Sequence, residues 1–387
     1  MSSNQVKNRP DHIKVFIIDQ DVLMRRKLSN ILQKEDGVMI YLSSSENGFD
    51  TVMARTESEQ ICLLFLGVDD LDSKEMELFY KLRSNRPNLN IVLLTLLNSS
   101  GAAVALRGLK NGALDYVTKP DNNVGLLFAD RHFHKRVVPL LKATRQQIKR
   151  LRNEKSPESF DWSQSKAYLP EVGQLSPGAI DIIVFGGCLG GVPSLYKIIT
   201  DLPESLEIPV VVVQHMPKVY TRMLSEDLDK LSALKVKEAT DNEMLSPGTV
   251  YIAPGGFHSV VKNEYGQKQI VLHKGPREHK CRPSIDVLFR SAVKEFNGNV
   301  MAVLLSGIGK DGVLGALNVL ENGGVIMLES RKSTRLSELV EKVKMLNSSI
   351  REIPADKMSQ EISKYLKKTE MQNLRDFSSG HQKFTSA

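Results

Sequence analysis

Short apolar runs rich in β-branched residues alternate along this chain with stretches whose apolar positions recur at helical spacing. Residues 14–18, 61–66 and 91–95 read as buried strands, and Val22–Leu32 as an amphipathic helix between the first two. The alternation resumes at residues 181–185, 210–213 and 301–305, and Val192, Leu195, Ile198 and Ile199 mark a helix after the first of these. Strands apolar on both faces, separated by helices, predict parallel sheets covered on both sides. The fold class expected is α/β, with two doubly wound parallel-sheet domains.

Composition shifts set the boundaries. Residues 1–11 form a polar lead, 12–121 the first α/β domain, and 122–177 a helical and polar linker. Residues 178–370 form the second α/β domain, and 371–387 a tail expected to be disordered. The linker holds a proline-punctuated stretch, 156–177, with the only tryptophan, Trp162. Residues 331–343 read as a charged amphipathic helix.

A chain of 387 residues is long enough for two separate cores. No apolar stretch approaches the length of a membrane span, and the N-terminus lacks a signal-peptide core, so a cytoplasmic protein is expected, not an integral membrane one. Three cysteines, Cys62, Cys188 and Cys281, make no disulfide framework. No His/Cys pair stands at ligand spacing, so no metal is expected. The net charge of +7 is spread along the chain, and its densest cluster, residues 145–155, reads as a solvated helix or as steering toward acidic partners. Nucleic acid is not an expected partner.

Chemistry concentrates after three of the strands. Gly186, Gly187, Cys188, Leu189, Gly190 and Gly191 form a turn from strand to helix, where glycines bring backbone N–H groups close to an anion. Cys188 is its one nucleophile, and a helix N-terminus lowers a thiol pKa. His215 ends the second strand before Pro217, and Asp311 follows the strand at 301–305. In open parallel sheets the carboxyl ends of strands build the site, so thiol, imidazole and carboxylate are placed to converge as nucleophile, base and orienter. Each has a plainer reading: Cys188 as a small buried residue, His215 as a partner of a strand-end carbonyl, and Asp311 as the cap of a helix starting near Gly312. Arg282 reads as a substrate clamp or a structural ion pair, with the structural role preferred. His258 and His273 carry no spacing argument.

The segments Gly186 to Gly191, Gln214-His215-Met216-Pro217, Tyr251-Ile252-Ala253-Pro254-Gly255, Arg282-Pro283-Ser284-Ile285-Asp286 and Gly307 to Gly312 occur in an order that resembles the chemotaxis protein-glutamate methylesterases. The resemblance covers nearly the whole chain, since that family carries a response-regulator receiver before its catalytic domain. It implies hydrolysis of glutamate methyl esters on methyl-accepting chemotaxis receptors, with receptor glutamine deamidation as a second activity, and it implies no cofactor. The family's Ser-His-Asp triad falls on Cys188, His215 and Asp311, with backbone groups at Gly187, Leu189, Gly190, Ile308 and Gly309 facing the oxyanion. Cys188 thus stands where the family has serine, Leu189 where it has threonine, and Cys281 where it has histidine.

In the receiver half, Tyr116-Val117-Thr118-Lys119-Pro120 is similar to the receiver signature after the fifth strand, and Thr95 and Lys119 match its switch residues. The metal-holding acidic pair falls on Asp19 and Gln20, and the phosphoryl acceptor on Gly67. The resemblance therefore implies a receiver without phosphorylation chemistry, while a chemotaxis histidine kinase stays as a partner. Three readings follow: a methylesterase with a Cys-His-Asp triad, a catalytically silent paralogue that binds receptors or signalling partners, and, last, a thiol-based redox sensor at Cys188, against which no resolving cysteine stands close in sequence.

Overall fold

The structure, a computed structural model, describes residues 12–120, 126–151, 180–331, 334 and 336–382. The polar lead and the stretch with Trp162 lie outside the described residues. Two units divide the chain, Met1–Glu158 and Ser159–Ala387.

The first unit runs β1 (Ile13–Ile18), α1 (Val22–Leu32), β2 (Val38–Ser43), α2 (Gly48–Met53), β3 (Leu63–Gly67), α3 (Lys74–Asn85), β4 (Asn90–Thr95), α4 (Ser99–Lys110), β5 (Asp115–Thr118) and α5 (Leu126–Leu151). Its five strands are parallel in the order β2-β1-β3-β4-β5. Nearly every residue of β1, β3, β4 and β5 is buried, as continuous apolar runs require in a sheet covered on both faces. Capping starts the helices: the Asp21, Ser73 and Asn98 side chains accept from Leu23, Met76 and Gly101 N–H groups.

Helix α5 corrects the linker expected over 122–177. Phe133, Val137, Leu140 and Leu141 are buried at helical spacing, and Asn90 Nδ2 donates to Gln147 Oε1 at 2.8 Å. The apolar stripe makes α5 the last layer of the first unit, and Arg145 at its basic end donates to Asp36 O.

The second unit runs β6 (Ile182–Gly187), α6 (Val192–Asp201), β7 (Val210–Gln214), α7 (Lys218–Asp229), β8 (Lys235–Glu238), β9 (Glu243–Met244), β10 (Thr249–Ile252), β11 (His258–Glu264), β12 (Gln267–His273), α8 (Ile285–Glu295), β13 (Val300–Leu304), α9 (Val313–Glu321), β14 (Val325–Glu329), α10 (Glu338–Leu346), β15 (Arg351–Ile353) and α11 (Ala355–Gln382). Seven parallel strands lie in the order β15-β14-β13-β6-β7-β10-β8. From β6 the chain first builds outward through β7, then returns to add β13 on the other side. The strand order therefore reverses between β6 and β13, which is where such sheets open a crevice at their carboxyl ends. An antiparallel sheet, β11-β12-β9, was not foreseen; its hairpin turns at Tyr265 and Gly266, both at positive φ.

Two further expectations are corrected. The helix expected over 331–343 begins only at Glu338. Leu336 O accepts from Gly307 N–H at 2.9 Å and Leu339 N–H donates to Gly307 O at 3.0 Å, while Arg331 pairs with Glu352 at 2.8 Å. These bonds spend the preceding segment on tethering. The tail expected to be disordered from 371 is instead helical to Gln382, as a continuation of α11, whose first half is set by buried Met358, Ile362 and Leu366. Residues 383–387 lie outside the described residues.

Candidate active site

Cys188, His215 and Asp311 converge at the carboxyl edge of the second sheet, beside the β6–β13 reversal. The turn after β6 is shaped by contacts that exclude side chains. A Cβ on Gly187 would strike Gln214 Oε1, and Gly190 has φ +81° with Leu336 close against it. Gln214 Nε2 donates to Cys188 O at 2.9 Å, and Cys188 N–H reaches Ser306 O at 3.4 Å. Behind Ser306, buried Glu329 accepts from the Ser306 N–H (2.7 Å) and hydroxyl (2.5 Å) and from Ser194 (2.6 Å). Burial raises the Glu329 pKa. Sequence reasoning gave no sign of this brace.

His215 is placed by its own backbone, whose N–H donates to Gly187 O at 3.1 Å. Its Nδ1 lies 3.3 Å from Cys188 Sγ and its Nε2 2.7 Å from Asp311 Oδ2. Asp311 also accepts from the Ser284 hydroxyl (2.7 Å), Ile285 N–H (2.9 Å) and Asp286 N–H (3.1 Å). It therefore sits on the N-terminus of α8, where N–H groups and dipole favour an anion. This corrects the reading of Asp311 as the cap of α9. That role belongs to Asp286, whose Oδ1 accepts from Gly312 (2.9 Å) and Gly315 (2.6 Å). Ser284 was quoted within the Arg282–Asp286 segment but given no role; the Ser-Ile-Asp sequence before an apolar helix was the available signal.

The electrostatics follow from these distances. Burial opposes ionisation of Cys188, but the adjacent His215 and bonds from the backbone of Leu189 and Ile308 outweigh it and hold the thiol below its ordinary value. Burial likewise opposes a charged His215, yet Cys188 and Asp311 raise its pKa well above 6.5. Asp311 is lowered against its burial by His215, Ser284 and Ile285. Both directions favour a thiolate–imidazolium pair beside the Asp311 carboxylate, although the Cys188 sulfur also lies 3.2 Å from Ile308 O, a carbonyl to which a thiol donates. Nε2 carries the proton toward Asp311, which leaves Nδ1 to exchange one with sulfur.

Cys281, which stands where the resembled family has histidine, has its Sγ 3.8 Å from the same Nδ1. Arg282 donates to Lys274 O (3.0 Å) and Gly275 O (3.1 Å), backbone carbonyls in place of the acidic partner that the ion-pair reading expected. His258 meets Pro276 O at 2.9 Å and packs on His273 at 5.2 Å between ring centroids.

The receiver remnants also converge. Lys119 Nζ lies 3.2 Å from Asp19 Oδ2 and 2.8 Å from Asp69 Oδ1. A Cβ at Gly67 would collide with the Asp19 carboxylate, Gln20 donates to Ser45 and, at 3.2 Å, to Glu75, and Thr95 is fully buried. Burial raises the Asp19 pKa, and its oxygens already face Lys119. This donor set does not fit Mg²⁺, which prefers a nearly ideal shell of oxygens.

A family model described as CheB methylesterase matches residues 183–362. The protein-glutamate methylesterase/protein-glutamine glutaminase of Trichodesmium erythraeum is 29% identical over 349 residues, 90% of this chain and 97% of that protein. The protein of the same name from Thermotoga maritima is 31% identical over 327 residues, 83% of this chain and 89% of that protein. The crystal structure of the Thermotoga maritima CheB methylesterase catalytic domain is 37% identical over 47% of this chain and 97% of that domain, with a TM-score of 0.46. Among the described residues, no helix is long and apolar enough to cross a membrane.

Proposed function

Because the chain belongs to the CheB methylesterase family, we propose that it hydrolyses glutamate γ-methyl esters on chemotaxis receptors with Cys188 as nucleophile, His215 as base and acid, and Asp311 as orienter. The carrying observation is the relay itself, sulfur to Nδ1 at 3.3 Å and Nε2 to carboxylate at 2.7 Å. The Cys188 thiolate attacks the ester carbonyl, and backbone N–H groups around Gly187, Leu189, Gly190, Ile308 and Gly309 face the oxyanion. His215 gives its proton to the departing methanol, leaving a thioester. It then takes a proton from water, which attacks the thioester and releases the glutamate carboxylate and the thiol. A receptor glutamine follows the same path with ammonia leaving. The chain works without a cofactor in the cytoplasm, beside receptors and their histidine kinase.

The receiver favours regulation by binding. With Gly67 at the acceptor position and Asp19 held by Lys119, a ligand shifts activity only through unequal affinity for two states. Methanol release from methylated receptor by the full chain tests the proposal. Equal release with and without the protein would leave the silent, receptor-binding reading standing.

A further inference from the structure

Three segments meet along one edge of the site: residues 216–218 after β7, 254–257 after β10, and 273–282 before α8. A Cβ on Gly255 would lie 2.4 Å from Met216 O and Lys218 N, and Gly256 N–H donates to Arg282 O at 3.1 Å. Through Cys281 the last segment comes within 3.8 Å of His215 Nδ1, and Lys218 follows that histidine by three positions. Half-buried Phe257 sits among them, with Lys218 Nζ 5.6 Å and Lys274 Nζ 5.1 Å from its ring centroid. The negative face of an aromatic ring attracts such ammonium groups. Arg277, whose Nη1 lies 3.5 Å from Lys280 O, and Lys280 itself carry the charge on toward Cys281. Lys218, Lys274, Arg277 and Lys280 are all exposed, and none of them is in an ion pair among the described residues. The acids nearby are committed elsewhere. Glu278 meets Arg290 at 2.6 Å, Asp286 meets His279 at 3.2 Å, and Glu238, which Lys218 also influences, accepts from Thr221 at 2.7 Å.

We propose that this cationic rim docks an acidic peptide segment, so that the glutamate ester taken by the site is one flanked by carboxylates. The identity of the central residue rests on the esterase reading; the surface itself does not. Like charges gathered on one edge repel, and an anionic partner relieves that repulsion while its approach is steered. A lipid surface fits less well, because none of the exposed large apolar side chains falls in the three segments, which leaves nothing to insert. Nucleic acid fits less well too, because binding a single strand calls for open aromatic faces and the one ring here already carries two lysines. Rim charges of this kind act through encounter and salt dependence, each pair adding little by itself, so selectivity comes from the set.

The test uses full-length Cys188→Ala protein and two synthetic peptides with a central glutamate γ-methyl ester, one flanked by glutamates and the other by glutamines. Fluorescence anisotropy should show the acidic peptide binding about tenfold more tightly at low salt, with the gap closing as sodium chloride is raised. The double variants Lys218→Glu/Lys274→Glu and Arg277→Glu/Lys280→Glu should each weaken the acidic peptide about 5–30-fold and shift the glutamine peptide little. Lys294→Glu/Lys357→Glu makes the same change in net charge away from the rim and should move neither peptide. With Cys188 restored, the losses in the rim variants should appear in KM rather than kcat. Equal affinity for the two peptides, or equal losses from the distant pair, would overturn the surface. So would rim variants that lose binding to phosphatidylglycerol vesicles but keep the peptide preference, which would assign the rim to a membrane. A parent that hydrolyses neither ester while the preference holds would strike the esterase reading alone and leave the docking surface standing.

Discussion

Asp311 Oδ2 meets Nε2 of His215 at 2.7 Å while the same carboxylate receives the first N–H groups of α8. One side chain thus orients the imidazole and starts a helix. Asp311→Asn keeps the shape but offers one acceptor oxygen to donors from two sides. We expect kcat/KM for methanol release to fall about 10³–10⁴-fold, as when a triad carboxylate becomes an amide. Stability should drop by about 1–3 kcal/mol in urea denaturation, because a donor of α8 is left unmet.

The thiolate–imidazolium pair sets a pH profile. Reactivity rises as Cys188 ionises, below the ordinary thiol range, and ester turnover falls once His215 loses its proton, above its ordinary 6.5. Iodoacetamide should label Cys188 far faster than Cys62, whose burial pushes it up to about 12. His215→Ala should move the Cys188 labelling curve to higher pH; an unmoved curve would show that the imidazole does not lower the thiol.

Asp286 opposes Asp311 in sign. Burial and neighbouring Asp311 raise it from 3.8 to about 6, against bonds from Gly312 and Gly315. A carboxyl raised on folding contributes stability that is complete below its unfolded value and lost as pH climbs through about 6. Asp286→Asn retains an acceptor oxygen for both N–H groups and cannot ionise. Its stability relative to the parent should therefore improve between pH 4 and pH 7, by roughly 1–3 kcal/mol. Urea midpoints at the two pH values measure it, and a constant difference would contradict the assignment.

In the first unit, the Asp19 carboxylate fills the space a side chain at position 67 would need. Acetyl phosphate with Mg²⁺ should leave the intact mass unchanged. Gly67→Ala should cost about 1–3 kcal/mol through overpacking, read by thermal or urea unfolding. A stable phosphoryl adduct on Asp19, Asp69 or Asp70 would contradict the silent receiver.

The central strands of both sheets, β1, β3, β4, β6, β7 and β13, were legible because they are apolar runs, and Cys188, His215 and Asp311 because each ends or follows such a run; β2, β8 and β15 are half-exposed or polar and were not read. What was missed depends on contacts between distant segments. Helix α5 carries an apolar stripe among many charges, and only packing shows that it closes the first unit. Glu329 ends a strand like any other residue until Ser194 and Ser306 are found against it. Cys281 lies 66 positions from His215, so its approach to Nδ1 appears only when the segment before α8 folds over the sheet edge. The start of α10 was misplaced because Arg331 is spent on Glu352 and Leu336 on Gly307, partners invisible to helical periodicity.

The most direct measurement follows the thioester. Full-length protein is mixed with methylated receptor, quenched in acid within one turnover, and mapped by mass spectrometry while released methanol is counted. The account predicts a hydroxylamine-sensitive link between Cys188 and a receptor glutamate, formed with stoichiometric methanol, and loss of both in Cys188→Ala. Methanol release undiminished in Cys188→Ala, or no release by the reduced parent, would contradict it.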